Sequence, residues 1–153
     1  MNTILVFIDG TICDTRHRHQ LYEKAEFNSE EMILKDSAVP GSIDCLQELA
    51  MFSNIIYMGA RDISLKDITE KWLKINGYPP GELYLSEHQE DRLHIVQSLK
   101  ETNPIIAGIG DRWDDNELHL EIGCLSIILE EFRGNWNTVR KYLIHAGGKL
   151  SII

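Results

Sequence analysis

Three stretches of the chain bring carboxylates and arginines together directly after apolar runs. Asp9-Gly10-Thr11 follows the run 3–8, Gly59-Ala60-Arg61-Asp62 follows 54–58, and Gly110-Asp111-Arg112-Trp113-Asp114-Asp115-Asn116 follows 105–109. Arg92 stands near the start of the helix-like stretch before the fourth run. Carboxylates so placed can move protons or hold a hard cation, and arginines can hold an anion. Each piece also has a plainer reading. Asp-Gly-Thr alone is an ordinary turn tripeptide, and Asp111, Asp114 and Asp115 could simply enrich a helix N-terminus in negative charge. That second reading accounts for Asp114 well and for Asp111 poorly.

The elements that must position these loops follow from hydrophobic patterning. The runs 3–8, 54–58, 82–85, 105–109 and 124–129 are short, rich in Ile, Leu and Val, and continuously apolar, as suits strands buried on both faces of a parallel sheet. Helix-like stretches at 42–51, 64–76, 91–101, 115–122 and 136–145 alternate with them. The alternation predicts a Rossmann-like, three-layer α/β/α domain around a mainly parallel sheet of five or six strands. In such sheets ligands bind beyond the carboxyl ends of the strands, where strand order reverses. The three loops fall at carboxyl ends.

Asn76-Gly77 is a predicted helix stop before Tyr78-Pro79-Pro80, and Ser64 a predicted N-cap. Pro104 opens the fourth strand, where a missing donor costs least. The tail 149–153 is predicted as an added edge strand. The one sizeable insertion, 12–53, carries polar helical stretches at 17–25 and 29–35 and includes the first long helix. It is too small for a separate domain, so 1–153 is expected to be one unit with a minimal cap. Within it, Arg16-His17-Arg18-His19 is predicted to be a solvated face. Trp72, Trp113 and Trp136 are expected to pack, with Trp113 alternatively walling the pocket.

Fifteen Lys+Arg against twenty-four Asp+Glu give a formal charge of −9, which disfavours an extended nucleic-acid partner but not a local cationic pocket for one phosphate. Cys13, Cys45 and Cys124 lack any CxxC or Cys/His zinc spacing and are expected to be reduced, mostly buried thiols. The start MNTILVFIDG lacks a basic leader region, so a cytoplasmic protein with no membrane partner is expected.

The loops, in this order, resemble the four signature motifs of the haloacid dehalogenase (HAD) superfamily. That family's first motif reads apolar strand, Asp, any residue, Asp-Gly-Thr; the second ends in Ser or Thr; the third is Lys or Arg; the fourth is Gly-Asp followed by another acidic residue. The flanking text is also similar to the polynucleotide kinase phosphatase subgroup, through Arg16-His17-Arg18-His19, Gly59-Ala60-Arg61 and Trp72-Leu73. The resemblance implies magnesium-dependent phosphomonoester hydrolysis through an aspartyl-phosphate. It puts Asp9 at the general acid/base, Gly10, Thr11, Gly59, Ala60, Arg61 and Arg92 around the phosphate, and Asp9, Asp111 and Asp115 at magnesium.

Two positions depart from that pattern. Phe7 stands at the nucleophile position, and Gly59 stands where a phosphate-binding hydroxyl is expected. An aromatic ring can neither attack phosphorus nor hold magnesium. The expectation is therefore a HAD-like domain with impaired or absent catalysis that keeps a site for a phosphorylated small molecule or serves a regulatory role. The alternatives are an active phosphomonoesterase on nucleotides or small phosphoesters, using Asp9 or metal-bound water, and a protein-interaction scaffold.

Overall fold

The computed structural model describes residues 1–144. In chain order the elements are β1 (Thr3–Phe7), β2 (Cys13–Asp14), α1 (Glu30–Leu34), β3 (Ser37–Ala38), α2 (Ser42–Leu49), β4 (Asn54–Gly59), α3 (Lys66–Asn76), β5 (Glu82–Leu85), α4 (Gln89–Lys100), β6 (Ile105–Gly110), α5 (Trp113–Ile122), β7 (Leu125–Ile128) and α6 (Trp136–Leu143), with 3₁₀ turns at Arg16–Leu21, Ala25–Asn28 and Ile63–Leu65. The predicted edge strand at 149–153 lies outside the described residues. No helix among those described is long and apolar enough to cross a membrane.

The five long strands pair in parallel in the order β5-β4-β1-β6-β7. The chain builds outward from β1 to β5, then crosses back to β6, so strand order reverses between β1 and β6. A crevice opens there. Strand side chains alternate between faces. Ile4, Val6 and Ile8 face one core, with Cys45, Leu46 and Leu49 of α2, Trp72 and Leu73 of α3, and Val139 and Leu143 of α6. Leu5 and Phe7 face the other, with Val96 of α4 and Leu118 and Ile122 of α5.

The helix ends follow local chemistry, with one correction. Gly77 closes α3 in the left-handed conformation at φ 85°, as the Asn76-Gly77 pair predicts. Ser64 is not the cap of α3. Leu65 holds that position without a side-chain cap bond, and the Asp62 carboxylate instead caps the preceding 3₁₀ turn, accepting the Ser64 N–H at 2.8 Å.

The insertion is clasped at its base by the antiparallel β2–β3 pair. It is held from within by Asp36, whose side chain is fully buried. Arg18 Nε and Nη2 each donate to an Asp36 oxygen at 2.9 Å, His17 Nε2 lies 2.7 Å from Oδ1, and the Cys13 thiol donates to Oδ2 at 3.2 Å. Arg61 Nη2 approaches Oδ2 to 3.5 Å, and Trp72 Nε1 donates to the Asp36 carbonyl at 2.9 Å. Within Arg16-His17-Arg18-His19, three residues stay at the surface as expected and Arg18 turns inward. Arg18 is 2% exposed, because a buried carboxylate needs a buried cation. Trp72 and Trp136 are buried as expected, whereas Trp113 is exposed and donates to Glu117.

Truncating Asp36 would leave Arg18 uncompensated in the interior. Asp36→Ala is expected to cost roughly 3–5 kcal/mol in urea unfolding. A loss under about 1 kcal/mol, the value of an exposed ion pair, would show that water reaches the cluster.

Candidate active site

A cavity of about 200 Å³ opens at the carboxyl ends of β1, β4 and β6. Among the predicted site residues, Phe7, Asp9, Gly10, Gly59, Ala60, Arg92 and Asp115 line it. Thr11, Arg61 and Asp111 do not. The other lining residues include Thr15 and His19 of the insertion, Arg112 and Asp114 of the β6 loop, and Glu131 and Phe132 beyond β7.

Phe7 lines this cavity at the last position of β1. The strand's alternation turns its ring onto the α4/α5 face, where it is 6% exposed and its centroid lies 5.6 Å from that of His119. His119 is fully buried and lies over Gly108, where a Cβ would collide with the imidazole. Its Nδ1 is 2.8 Å from Ser126 Oγ, its Nε2 has no partner, and burial pulls its pKa down to about 4. Phe7 thus packs beside a neutral imidazole. Gly59 lies behind β4, where a Cβ would come within 2.9 Å of Leu85 Cδ2. A hydroxyl-bearing residue there would require Leu85 to turn aside.

The acidic residues are each engaged by the protein itself. Arg61 forks Asp9, with Nε to Oδ2 at 3.0 Å and Nη2 to Oδ1 at 2.7 Å, while Nη1 donates to Thr69 at 2.8 Å. Burial works against the Arg61 charge, but the Asp9 carboxylate overrides it and holds the guanidinium above its ordinary pKa. The Thr11 hydroxyl, also fully buried, donates to Asp111 Oδ1 at 2.9 Å. Neither Arg61 nor Thr11 has its polar group free for a ligand in the cavity.

Asp115 Oδ2 accepts the backbone N–H groups of Asp111 and Arg112 at 3.1 and 3.2 Å, satisfying two donors at the start of α5 from its third residue. It packs over Gly110, and burial raises its pKa to about 6 against those N–H contacts. Asp111 is pressed against Gly10, whose φ of 85° and missing Cβ make room for the carboxylate. Burial pushes Asp111 up to about 7; the Thr11 hydrogen bond opposes this, and Asp115 and Glu131 add to it. Its Oδ2 has no partner.

These contacts bear on the predicted magnesium set of Asp9, Asp111 and Asp115. Among the described residues, no group of three His, Cys, Asp or Glu is arranged to hold a metal. Asp9 is committed to Arg61, Asp115 to the start of α5, and Phe7 offers no oxygen. Asp111 Oδ2 has no partner and Asp115 is engaged through Oδ2, so these carboxylates do not present the several converging oxygens that a hard cation needs.

Two cations do line the cavity. Arg92 is 3% exposed, with Nη1 donating to the Ser86 carbonyl and Nη2 to Gln89 Oε1 at 2.7 and 2.8 Å, while Nε has no partner. Arg112 Nε donates to Asp114 at 3.0 Å, and Asp114 also meets Arg92 at 3.4 Å. Lys100, at the far end of α4, is turned away and donates to the Ile122 carbonyl at the end of α5.

The rim comes from residues that the motifs did not indicate. Phe132, at a left-handed φ of 63°, donates its N–H to the Gly10 carbonyl at 2.8 Å. Its ring lies 5.6 Å from that of His19 and 5.2 Å from the Arg16 guanidinium carbon. A bulky residue held at positive φ carries strain that the surrounding contacts must outweigh. Nothing in the local sequence 130–133 marks it.

No protein-family model matches the chain, and no curated protein matches it as a relative. Solved structures do match. A chain of the Pnkp1/Rnl/Hen1 RNA repair complex superposes with a TM-score of 0.63 at 12% identity, covering 88% of this chain and 43% of that one. This chain therefore spans less than half of that protein. A haloacid dehalogenase-like hydrolase from Streptococcus pneumoniae gives 0.64 at 14% identity, covering 92% and 90%. A HAD-family enzyme from Bacteroides thetaiotaomicron, in complex with magnesium and inorganic phosphate, gives 0.61 at 14%, covering 91% and 98%. The fold is HAD-like, a parallel five-stranded sheet between helices. Likeness at this identity carries the architecture and not the chemistry.

The raised pKa of Asp111 has a sign that can be tested. A carboxyl whose folded pKa of about 7 exceeds its ordinary 3.8 contributes stability that is complete below about pH 4 and lost as pH rises through 7. Asp111→Asn keeps an acceptor for Thr11 without the charge. It is expected to be more stable than the parent by about 2 kcal/mol at pH 8, a partly solvated group giving less than its full shift. The difference should close towards pH 4, as read by urea unfolding across pH.

Proposed function

We propose that this HAD-like domain binds a phosphorylated small molecule without hydrolysing it at an enzyme's rate. One observation carries the loss of catalysis: Phe7 is packed into the α4/α5 core at the end of β1, so the family's nucleophile has no counterpart. Losing a nucleophile costs roughly six orders of magnitude in a well-studied protease. The engagement of Asp9 by Arg61 supports the same reading, because a proton-transfer group must reach its substrate.

Retention of binding rests on the cations. Arg92 lines the cavity with its guanidinium charge, and a charged donor group beside an anion's oxygens favours binding. Arg112 supplies a second cation, and the one carboxylate of Asp114 is shared between the two guanidiniums. The cavity, of about 200 Å³, accommodates one phosphoryl group. With no large cap over the site, the rest of the ligand extends outward.

The reading predicts that the purified protein shows no magnesium-dependent turnover of phosphomonoesters above that of its Asp9→Asn variant. Inorganic phosphate, at about a hundred times its Kd, should raise the melting temperature by roughly 5–10 °C, with or without chelator. Arg112→Ala should reduce that shift. Hydrolysis at ordinary turnover that disappears in Asp9→Asn would refute impaired catalysis. Absence of any phosphate shift would favour the scaffold role.

A further inference from the structure

A second, larger groove meets the phosphate cavity. It encloses about 590 Å³, within the range of small-molecule sites. The two share Asp9, Thr15 and Ala60. A ligand whose phosphoryl group lies against Arg92 and Arg112 can therefore extend past Asp9 into a space walled by the insertion and the loop after β4.

The walls of this groove have a particular chemistry. Tyr22 is 68% exposed, an unusual fate for a large ring, and adjoins Glu23, whose φ is 70°. It is nevertheless positioned. Its ring meets Phe27 edge-on at 5.5 Å, Phe27 is covered by the Arg18 guanidinium at 4.7 Å, and Arg18 is locked by Asp36. The chain from a buried carboxylate to an exposed aromatic ring makes Tyr22 a supported platform. Leu65 adds apolar surface. The groove carries Asp9, Glu23, Asp62 and Glu87 against Arg18, Lys24 and Arg61, and Arg18 and Arg61 are bound to Asp36 and Asp9, so the outer rim of Glu23, Asp62 and Glu87 disfavours further phosphates and accepts hydrogen bonds from hydroxyl and amino groups.

From this we infer that the ligand of the phosphate site is a nucleoside monophosphate, its base stacked on Tyr22 and its sugar hydroxyls or exocyclic amines facing the acidic rim. The inference rests on the phosphate-binding reading above. It favours one phosphate at the inner end and an uncharged, donor-bearing planar group outside, and disfavours nucleoside triphosphates and polynucleotides.

Calorimetric titration of the full chain with inorganic phosphate, ribose 5-phosphate, phenyl phosphate, adenosine monophosphate and adenosine triphosphate tests it. Adenosine monophosphate is expected to bind roughly tenfold or more tightly than ribose 5-phosphate, the scale of one base stack, and more tightly than the triphosphate. Tyr22→Ala should erase that advantage while leaving inorganic phosphate affinity unchanged, and Tyr22→Phe should keep it. Equal binding of ribose 5-phosphate and adenosine monophosphate would overturn the stacking site alone, and phenyl phosphate matching the nucleotide would overturn the nucleoside assignment. If inorganic phosphate itself does not bind, the underlying reading fails with it.

Discussion

The Asp36 carboxylate is the interaction on which the site's geometry depends. It sits with no solvent exposure between the insertion and the sheet, and gathers Arg18, His17, Cys13 and Arg61 around two oxygens. Ionic clusters of this kind gain little net stability over apolar packing, yet losing one member is costly because the others remain charged and buried. The consequence here is positional. Arg61 reaches both Asp36 and Asp9, so the insertion, the β4 loop and the β1 loop are fixed relative to one another through one guanidinium. The same carboxylate stands behind the Arg18–Phe27–Tyr22 stack on the outer groove.

Much of the fold was legible because the strands are buried on both faces, and burial on both faces writes continuous apolar runs. The five predicted strands are all present, each within about two residues of its expected ends. The insertion was not legible, and the reason is physical: its contacts are distant in sequence. Arg18 and Asp36 are eighteen positions apart, and Arg18 and Phe27 meet through a carbonyl and a ring. Arg18 reads as one more member of a solvated Arg/His face unless the buried acid that holds it is known. The 3₁₀ turns that replace the expected helix at 17–25 have no periodicity to announce them.

Within the candidate site, legibility divided by competition with the backbone. Arg92 and the strand-end residues Phe7, Asp9, Gly10 and Gly59 face the cavity as their positions suggest. Asp115 looked like a ligand by spacing, yet a carboxylate at the third residue of a helix has two unpaired N–H groups within reach, and it takes them. Thr11 is likewise diverted to Asp111. Phe132 and Glu131 enter from beyond β7, a segment that no motif covers. Only the hydrogen bond from Phe132 to the Gly10 carbonyl ties it to the first loop.

The departures at the site are mutually consistent. An aspartate at the end of β1 would face a neutral, fully buried His119 in an apolar layer, where its charge would be expensive. Phe7 fits that layer, and α5 approaches β6 closely because Gly108 and Gly110 have no side chains to hold it away. With no carboxylate at position 7, nothing gathers Asp111, Asp115 and Asp9 around a shared cation, and each is satisfied separately by a hydroxyl, by backbone N–H groups and by Arg61. On the proposed reading the departure is spread over four residues, and a carboxylate placed at position 7 would leave the other three engaged. An anion, by contrast, needs only the cations, and the Arg92 and Arg112 guanidiniums still line the cavity. The proposed separation of binding from turnover follows from this division: Phe7 lies in the core, Asp9, Arg61, Thr11 and Asp115 are held by protein partners, and Arg92 and Arg112 remain at the cavity wall.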